Sequence, residues 1–363
     1  VGGAGSSPAP TFRVFRSFLL LGRKPALCAV GGSMANLRNL PRQAWGDLQS
    51  KLRHLPLVGT LRNMLVDAPE LSSPAPRDSG LVDAGRVEAY QRAIERYVRP
   101  GQVVVDVGTG TGLRALLASK RGPRKLYAVD ASRNLDTARW VARRNGVPDI
   151  EFVRTDSARF RPPEKVDVLL HEQLGDALFD AGLIPRLLGL RDRLLVDGGR
   201  ILPNRFEVFF EPVQLREEAR LPFIWNQQVP DVDLSCLQVL RDTMSPAYFT
   251  RFVRPQDVER LLCHPEPAFA LDLETLRAGS LPQRLRLARP VVHEGRMDGL
   301  CLFYRARFDP ELSFDTFPER PRACTPVLLL RMDSRDFARY ETICLELSLP
   351  ELSDITTWRW SFL

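Results

Sequence analysis

The sequence predicts a two-part protein: a doubly wound α/β unit with a parallel sheet, followed by an antiparallel β domain. Three observations carry this. Between residues 81 and 203, apolar strand-like runs alternate with helical runs, the pattern of a parallel sheet covered by helices. Within that region residues 103–112, VVVDVGTGTG, pass from a run of valines into glycines at every second position. After Pro203 the pattern changes to short strand-like runs separated by Pro, Gly and charged turns, the spacing of an antiparallel domain.

The first eighty residues carry little pattern. Residues 1–32 set Arg13, Arg16, Arg23 and Lys24 around the apolar run 18–21 and contain no acid. That run is too short to span a bilayer, and the segment reads either as a targeting sequence or as residues mis-assigned ahead of a start at Met34. Residues 36–66 show helical spacing at Leu48, Leu52 and Leu55 and again at Leu57, Leu61 and Met64, with Pro56 as the break. Residues 68–79, with three prolines and three serines, read as a linker. The expected organisation is therefore an extension and linker over 1–79, the parallel-sheet unit over 80–203 and the antiparallel domain over 204–363.

The parallel-sheet unit opens with a helix over 81–98 that ends at Arg99-Pro100-Gly101. Val103, Val104, Val105 and Val107 flank Asp106 in a strand suited to burial on both faces. Gly108, Gly110 and Gly112 let the backbone turn sharply and let a ligand lie against it, and a helix follows over 113–121. A second strand over 125–129 brings Asp130 to its carboxyl end, where an acid can accept hydrogen bonds from both hydroxyls of a ribose. A helix over 133–145, strands over 150–154 and 166–170 and a helix over 181–194 complete the alternation. Ligands in such sheets sit at the carboxyl ends of the strands, where Gly108, Asp130, Asp156 and Glu172 fall. Asp156 has two readings: acceptor for an adenine amino group, or an acid capping the turn before Ser157.

The glycine spacing separates two classes of nucleotide ligand. Dinucleotide folds use G-x-G-x-x-G to bring a helix N-terminus against a pyrophosphate, whereas here the third glycine arrives one residue early. A carboxylate at Asp106 would repel a pyrophosphate but suits the cationic methionine part of S-adenosylmethionine. The expected cofactor is therefore S-adenosyl-L-methionine.

With these residues in place the chain resembles the class I methyltransferases, with their seven-strand sheet, and within them the protein arginine methyltransferase family. Residues 81–86, LVDAGR, followed by Tyr90, resemble that family's L-x-D-x-x-R-x-x-x-Y helix, whose arginine holds the cofactor carboxylate; Arg86 stands at that place. Residues 171–175, HEQLG, are similar to its S-E-x-M-G after the fourth strand, and residues 195–203, LVDGGRILP, to its L-x-P-G-G-x-I-x-P segment, with Asp197 replacing the first proline. The resemblance implies cofactor contacts at Arg86, Asp106, Gly108, Gly110, Gly112, Asp130 and Asp156, a protein or peptide substrate, and a barrel-like antiparallel domain. Residues 217–240, with Trp225 and Asp233-Leu234-Ser235-Cys236, resemble the arm, about 214–240, by which such enzymes form homodimers. The alternative for that segment is a surface excursion with an aromatic anchor packed on its own chain.

The chemistry centres on Glu172. Methyl transfer is an in-line displacement at a sulfonium carbon, with the nucleophile held roughly 3–3.5 Å from the methyl group. A guanidinium, with a pKa above about 12, is delocalised and a poor nucleophile. In the family two glutamates grip it by bidentate hydrogen bonds and aim one nitrogen. Glu172 matches the first. The position nine residues on is Ala181, so Asp180, or Asp176, would have to supply the second carboxylate. A second departure lies at residues 314–321, FDTFPERP, which resemble the segment before the family's Thr-His-Trp loop although the loop itself reads Ala323-Cys324-Thr325. The family's aromatic Y-F-x-x-Y motif is not visible ahead of Leu81. Three readings follow: an arginine methyltransferase using Glu172 and Asp180, a methyltransferase acting on another nucleophile or a small molecule, and a cofactor-binding subunit without activity.

Composition narrows the partners. The net charge of +7 comes almost wholly from arginines scattered among acids, so no specific nucleic-acid partner is expected. No membrane association is expected either. Six cysteines without a C-x-x-C pair argue against a zinc site or a disulfide framework and fit reduced thiols in the cytoplasm. His171-Glu172 begins like the zincin H-E-x-x-H, but Gly175 stands where the second histidine would be, so no metal is expected. His171 is expected to line the pocket or cap the strand end. No N/D-P-P-aromatic tetrad follows the fourth strand, which counts against methylation of a flipped adenine.

Overall fold

The structure is a computed structural model that describes residues 83–363 except 148, 173–182, 321, 322 and 324. These fall within one compact unit, Ser73–Leu363. The helices expected over 36–66 and the 68–79 linker lie outside the described residues, as do Leu81, Val82, Asp176, Asp180 and Ala181.

Helix α1, Ala84–Tyr97, starts where the Asp83 carboxylate accepts the Arg86 amide at 3.2 Å, satisfying one of the unpaired N–H groups of the first turn. Strand β1, Val103–Val107, is buried at all five positions. Helix α2, Leu113–Ser119, leads to β2, Lys125–Asp130, and helix α3, Asn134–Arg144, to β3, Glu151–Arg154. Strand β4, Val166–His171, then helix α4, Leu183–Leu194, and β5, Leu195–Leu202, close the series.

These strands form one parallel sheet in the order β3-β2-β1-β4-β5. The chain winds outward from β1 to β3, returns to β4 and continues to β5, so the direction switches between β1 and β4 and opens a crevice at their carboxyl ends. Among the described residues the sheet has five strands, not the seven implied by the family resemblance. The next strand, β6 (Arg205–Leu215), is taken up by antiparallel pairing with β11 (Gly295–Arg307), from Arg205 opposite Arg307 to Val213 opposite Gly299, and so does not join as a sixth parallel strand.

The remaining strands are antiparallel. One sheet joins β7 (Thr250–Val253), β13 (Val327–Phe337), β11, β6 and β8 (Val258–Leu261), with β9 (Phe269–Asp272) on β6 and β12 (Ser313–Asp315) on β11. A second joins β10 (Arg284–Pro290), β14 (Thr342–Ser348) and β15 (Arg359–Phe362). One apolar core runs from the β1 valines through Leu169 and Leu170 to Phe206, Phe308 and Trp358. Tyr90 of α1 meets Phe308 edge to face at 5.0 Å and lies 5.7 Å from Phe314 of β12, which brings the segment after β12 up to the crevice. A smaller cluster around Phe209, Phe303 and Leu329 fills the other side of β6 and β11.

The segment after β6 is a series of short 3-10 turns. Trp225 is buried, stacked on Phe223 at 4.7 Å and close to Tyr248 and Phe249, while the Arg331 guanidinium lies 4.2 Å from the Phe223 ring centre. The aromatic anchor thus packs within its own chain. Leu221, Ile224, Val229, Val232, Val239 and Leu240 of the same segment are exposed.

Candidate functional site

Gly108, Gly110 and Gly112 all have φ between +56° and +89°, the left-handed region that side chains disfavour. The loop is held by the Gly108 amide on Val129 O at 2.8 Å and the Gly110 amide on the Asp130 carboxylate at 2.9 Å. At Gly112 a Cβ would stand 3.0 Å from the Ala138 Cβ, so this glycine lets the loop pack on α3. At Gly110 a Cβ would meet only Gly108 O, 4.0 Å away. The loop therefore presents a bare backbone face at the switch point. Asp130, at the end of β2, also accepts the Ser132 amide at 2.7 Å. Asp156 is exposed and accepts the Ala158 amide at 2.8 Å while its carbonyl accepts the Arg159 and Phe160 amides. In this structure its side chain caps a turn.

Asp106 is fully buried at the end of β1. One oxygen accepts the Thr109 hydroxyl at 2.6 Å and the other accepts Arg114 Nε at 2.9 Å. Arg114, 5% exposed on the first turn of α2, also donates Nη2 to Gly108 O at 2.8 Å and Nη1 to Glu172, and its guanidinium carbon lies 5.7 Å from the Tyr90 ring centre. Burial works to lower the Arg114 pKa, but the Asp106 and Glu172 carboxylates outweigh it and raise it, so the guanidinium remains charged.

Glu172 follows β4 directly, partly exposed. Its second oxygen lies 3.6 Å from Arg86 Nη1. Arg86 is 5% exposed; it donates Nη2 to the Thr325 hydroxyl at 3.2 Å, stacks over Phe314 at 5.1 Å, and has a buried Nε without a partner among the described residues. Asp83 pairs with Arg320. Phe314, Arg320 and Thr325 thus bring the antiparallel region to the wall of the crevice. Arg114, Arg320 and Thr325 were not among the expected site residues. The available signal was a cation inside the otherwise apolar run LRALLAS.

His171 caps the end of β4. Its Nε2 lies 3.0 Å from Pro203 O, and because a carbonyl only accepts, that nitrogen carries the proton. Among the described residues Nδ1 is buried without a partner, and the carbonyl of His171 accepts the Tyr90 hydroxyl at 2.7 Å. Burial pushes the imidazole pKa down to about 4. A histidine whose folded pKa is depressed supplies stability that is complete above its unfolded value, about 6.5, and is lost as pH falls toward 4. Denaturant unfolding between pH 7 and pH 4 should show a loss of about 3 kcal/mol that His171→Gln removes. An unchanged slope in that variant would assign the acid sensitivity to other groups. Among the described residues no cluster of His, Cys, Asp and Glu is arranged to hold a metal ion.

A family model described as ribosomal protein L11 methyltransferase (PrmA) matches residues 90–190. The chain is 34% identical over 203 residues to protein arginine N-methyltransferase 6 of Danio rerio, covering 54% of this chain and 57% of that protein. It is 36% identical over 137 residues to protein arginine N-methyltransferase PRMT10 of Oryza sativa subsp. japonica, covering 37% of this chain and 36% of that protein. The chain thus spans about half the length, or less, of these curated relatives. Among solved structures, the Trypanosoma brucei PRMT1 enzyme-prozyme heterotetrameric complex with AdoHcy superposes with a TM-score of 0.65 at 23% identity, covering 74% of this chain and 86% of that chain. The Arabidopsis thaliana protein arginine methyltransferase 10 structure gives 0.60 at 21% identity, covering 75% and 86%. These structures share the fold.

Proposed function

We propose that this relative of the protein arginine N-methyltransferases uses S-adenosyl-L-methionine to methylate a side-chain nitrogen of a protein, with arginine as the acceptor. The observation that carries the reading is the position of Glu172: it stands at the carboxyl end of β4, across the switch-point crevice from the glycine loop after β1. The residues fit the cofactor. Gly110 leaves an open backbone face, Asp130 ends β2 at the place a ribose would take, and the Nε of Arg86, buried and without a partner among the described residues, is a donor for a carboxylate. Asp106, Gly108 and Gly112 shape the loop, and Asp156 is assigned to the adenine end. When bound, the cofactor supplies a methyl group on a sulfonium. Glu172 orients the acceptor nitrogen and balances its charge, and Asp180 is assigned the second carboxylate. The antiparallel sheets are read as the barrel-like scaffold that carries Phe314 and Thr325 to the site.

The test is to incubate the protein with cofactor labelled on the methyl group and a cell lysate. Label on protein arginine is the expected result; label on another residue or in the small-molecule fraction would overturn the acceptor assignment, and no label would overturn the activity.

A homodimer is part of the proposal. Its support is the exposed aliphatic row Ile224, Val229, Val232, Val239 and Leu240, together with the resemblance of the segment to a dimerisation arm. Light scattering should report a dimer that Val229→Asp combined with Val239→Asp converts to a monomer. Both side chains are exposed, so the fold should be retained, and a monomeric parent protein would defeat this assignment. A cytoplasmic location is proposed as well, supported by Cys236, Cys263, Cys301 and Cys344 being free thiols.

A further inference from the structure

Arg114 is a buried cation for which the proposed transfer has no use. Its three donor groups are all engaged: Nε on Asp106, Nη2 on Gly108 O, and Nη1 on Glu172. A carboxylate from Glu172, a second carboxylate and the face of Tyr90 are the surroundings that hold a planar guanidinium. They are also what the proposed chemistry asks Glu172 to provide for the acceptor. The charges of the cluster already balance, with Asp83, Asp106 and Glu172 set against Arg86, Arg114 and Arg320. A further guanidinium would enter that cluster without an unmatched acid within it, and it would have to take Glu172 from Arg114.

We propose that Arg114 is a specificity-determining residue: an internal guanidinium that occupies Glu172 and competes with an acceptor guanidinium for it. The proposal rests on the functional reading above only in taking Glu172 as the acceptor's partner. Lysine at this position would keep a charge for Asp106 but lack the fork that reaches Glu172 at the same time. Glutamine would keep an N–H for Asp106 without any charge.

Binding of an arginine-containing hexapeptide, and of its lysine counterpart, is measured by calorimetry at saturating S-adenosylhomocysteine, which has no methyl group to transfer. The parent protein, Arg114→Lys and Arg114→Gln are compared, each also in a Glu172→Gln background. Arg114→Lys should tighten the Kd for the arginine peptide about tenfold or more and leave that for the lysine peptide within about threefold, and the gain should vanish with Glu172→Gln. Should Arg114→Lys fail to fold, Arg114→Gln carries the same expectation. An unchanged or weaker affinity in the folded variants overturns the proposal, and so does a gain that survives Glu172→Gln. The labelling experiment on the parent protein decides the activity separately: tightening supports the role of Arg114 whichever acceptor the label reveals.

Discussion

Glu172→Gln should abolish methyl transfer while cofactor binding persists. The substitution keeps the shape of the side chain and removes the charge that meets Arg86 and Arg114 across the crevice. A rate loss on the order of a hundredfold to a thousandfold is expected for a positioned charged group, read in a single-turnover assay with labelled cofactor. Calorimetry supplies the control, because Arg86 retains Thr325 and Asp130 retains the glycine loop. Asp180→Asn should cost about a hundredfold as well if it supplies the second carboxylate. A protein that needs Glu172 but tolerates Asp180→Asn would lack the two-carboxylate clamp, and a nucleophile less basic than a guanidinium would then replace arginine in the functional reading. Ala181→Glu is informative in the opposite direction, since a gain on arginine peptides would show that a missing carboxylate had limited the site.

Gly110→Val should lower S-adenosylmethionine affinity by at least about a hundredfold, some 2.7 kcal/mol, and leave the sheet folded. The φ of +56° is one that a β-branched residue resists, at a cost of about 1–3 kcal/mol. The new Cβ would point into open space rather than into the core, so the branch would stand where a ligand has to lie. The strain is small against a stability of roughly 5–15 kcal/mol. Circular dichroism and calorimetry separate the two effects, and an unaltered cofactor affinity would mean that the loop is not the binding surface.

The sequence by itself determined the parallel-sheet region and the loop at its centre. Strand β1 runs from Val103 to Val107 as its valines predict, and the strands and helices expected between 113 and 194 begin and end within a residue or two of their expected places, whereas β5, Leu195–Leu202, was not expected as a strand. That legibility is physical: a strand buried on both faces has to be apolar throughout, a helix against it has to repeat its apolar residues every three or four positions, and a left-handed loop needs glycine, so each constraint is written within a few neighbouring residues. The strands β7, β8, β9 and β12 were not legible, because with three or four residues each they carry too little alternation to register. The tertiary structure alone decided how many strands the parallel sheet has, since β6 is claimed by β11 from the other end of the chain. It also decided what surrounds Glu172. Arg114 is 58 residues away in sequence, Thr325 lies 239 residues from Arg86, and Arg320 lies 237 residues from Asp83. Polar contacts that close over such distances leave no periodicity and no local motif, because the energy of burying one partner depends on a second that only the folded chain brings within reach.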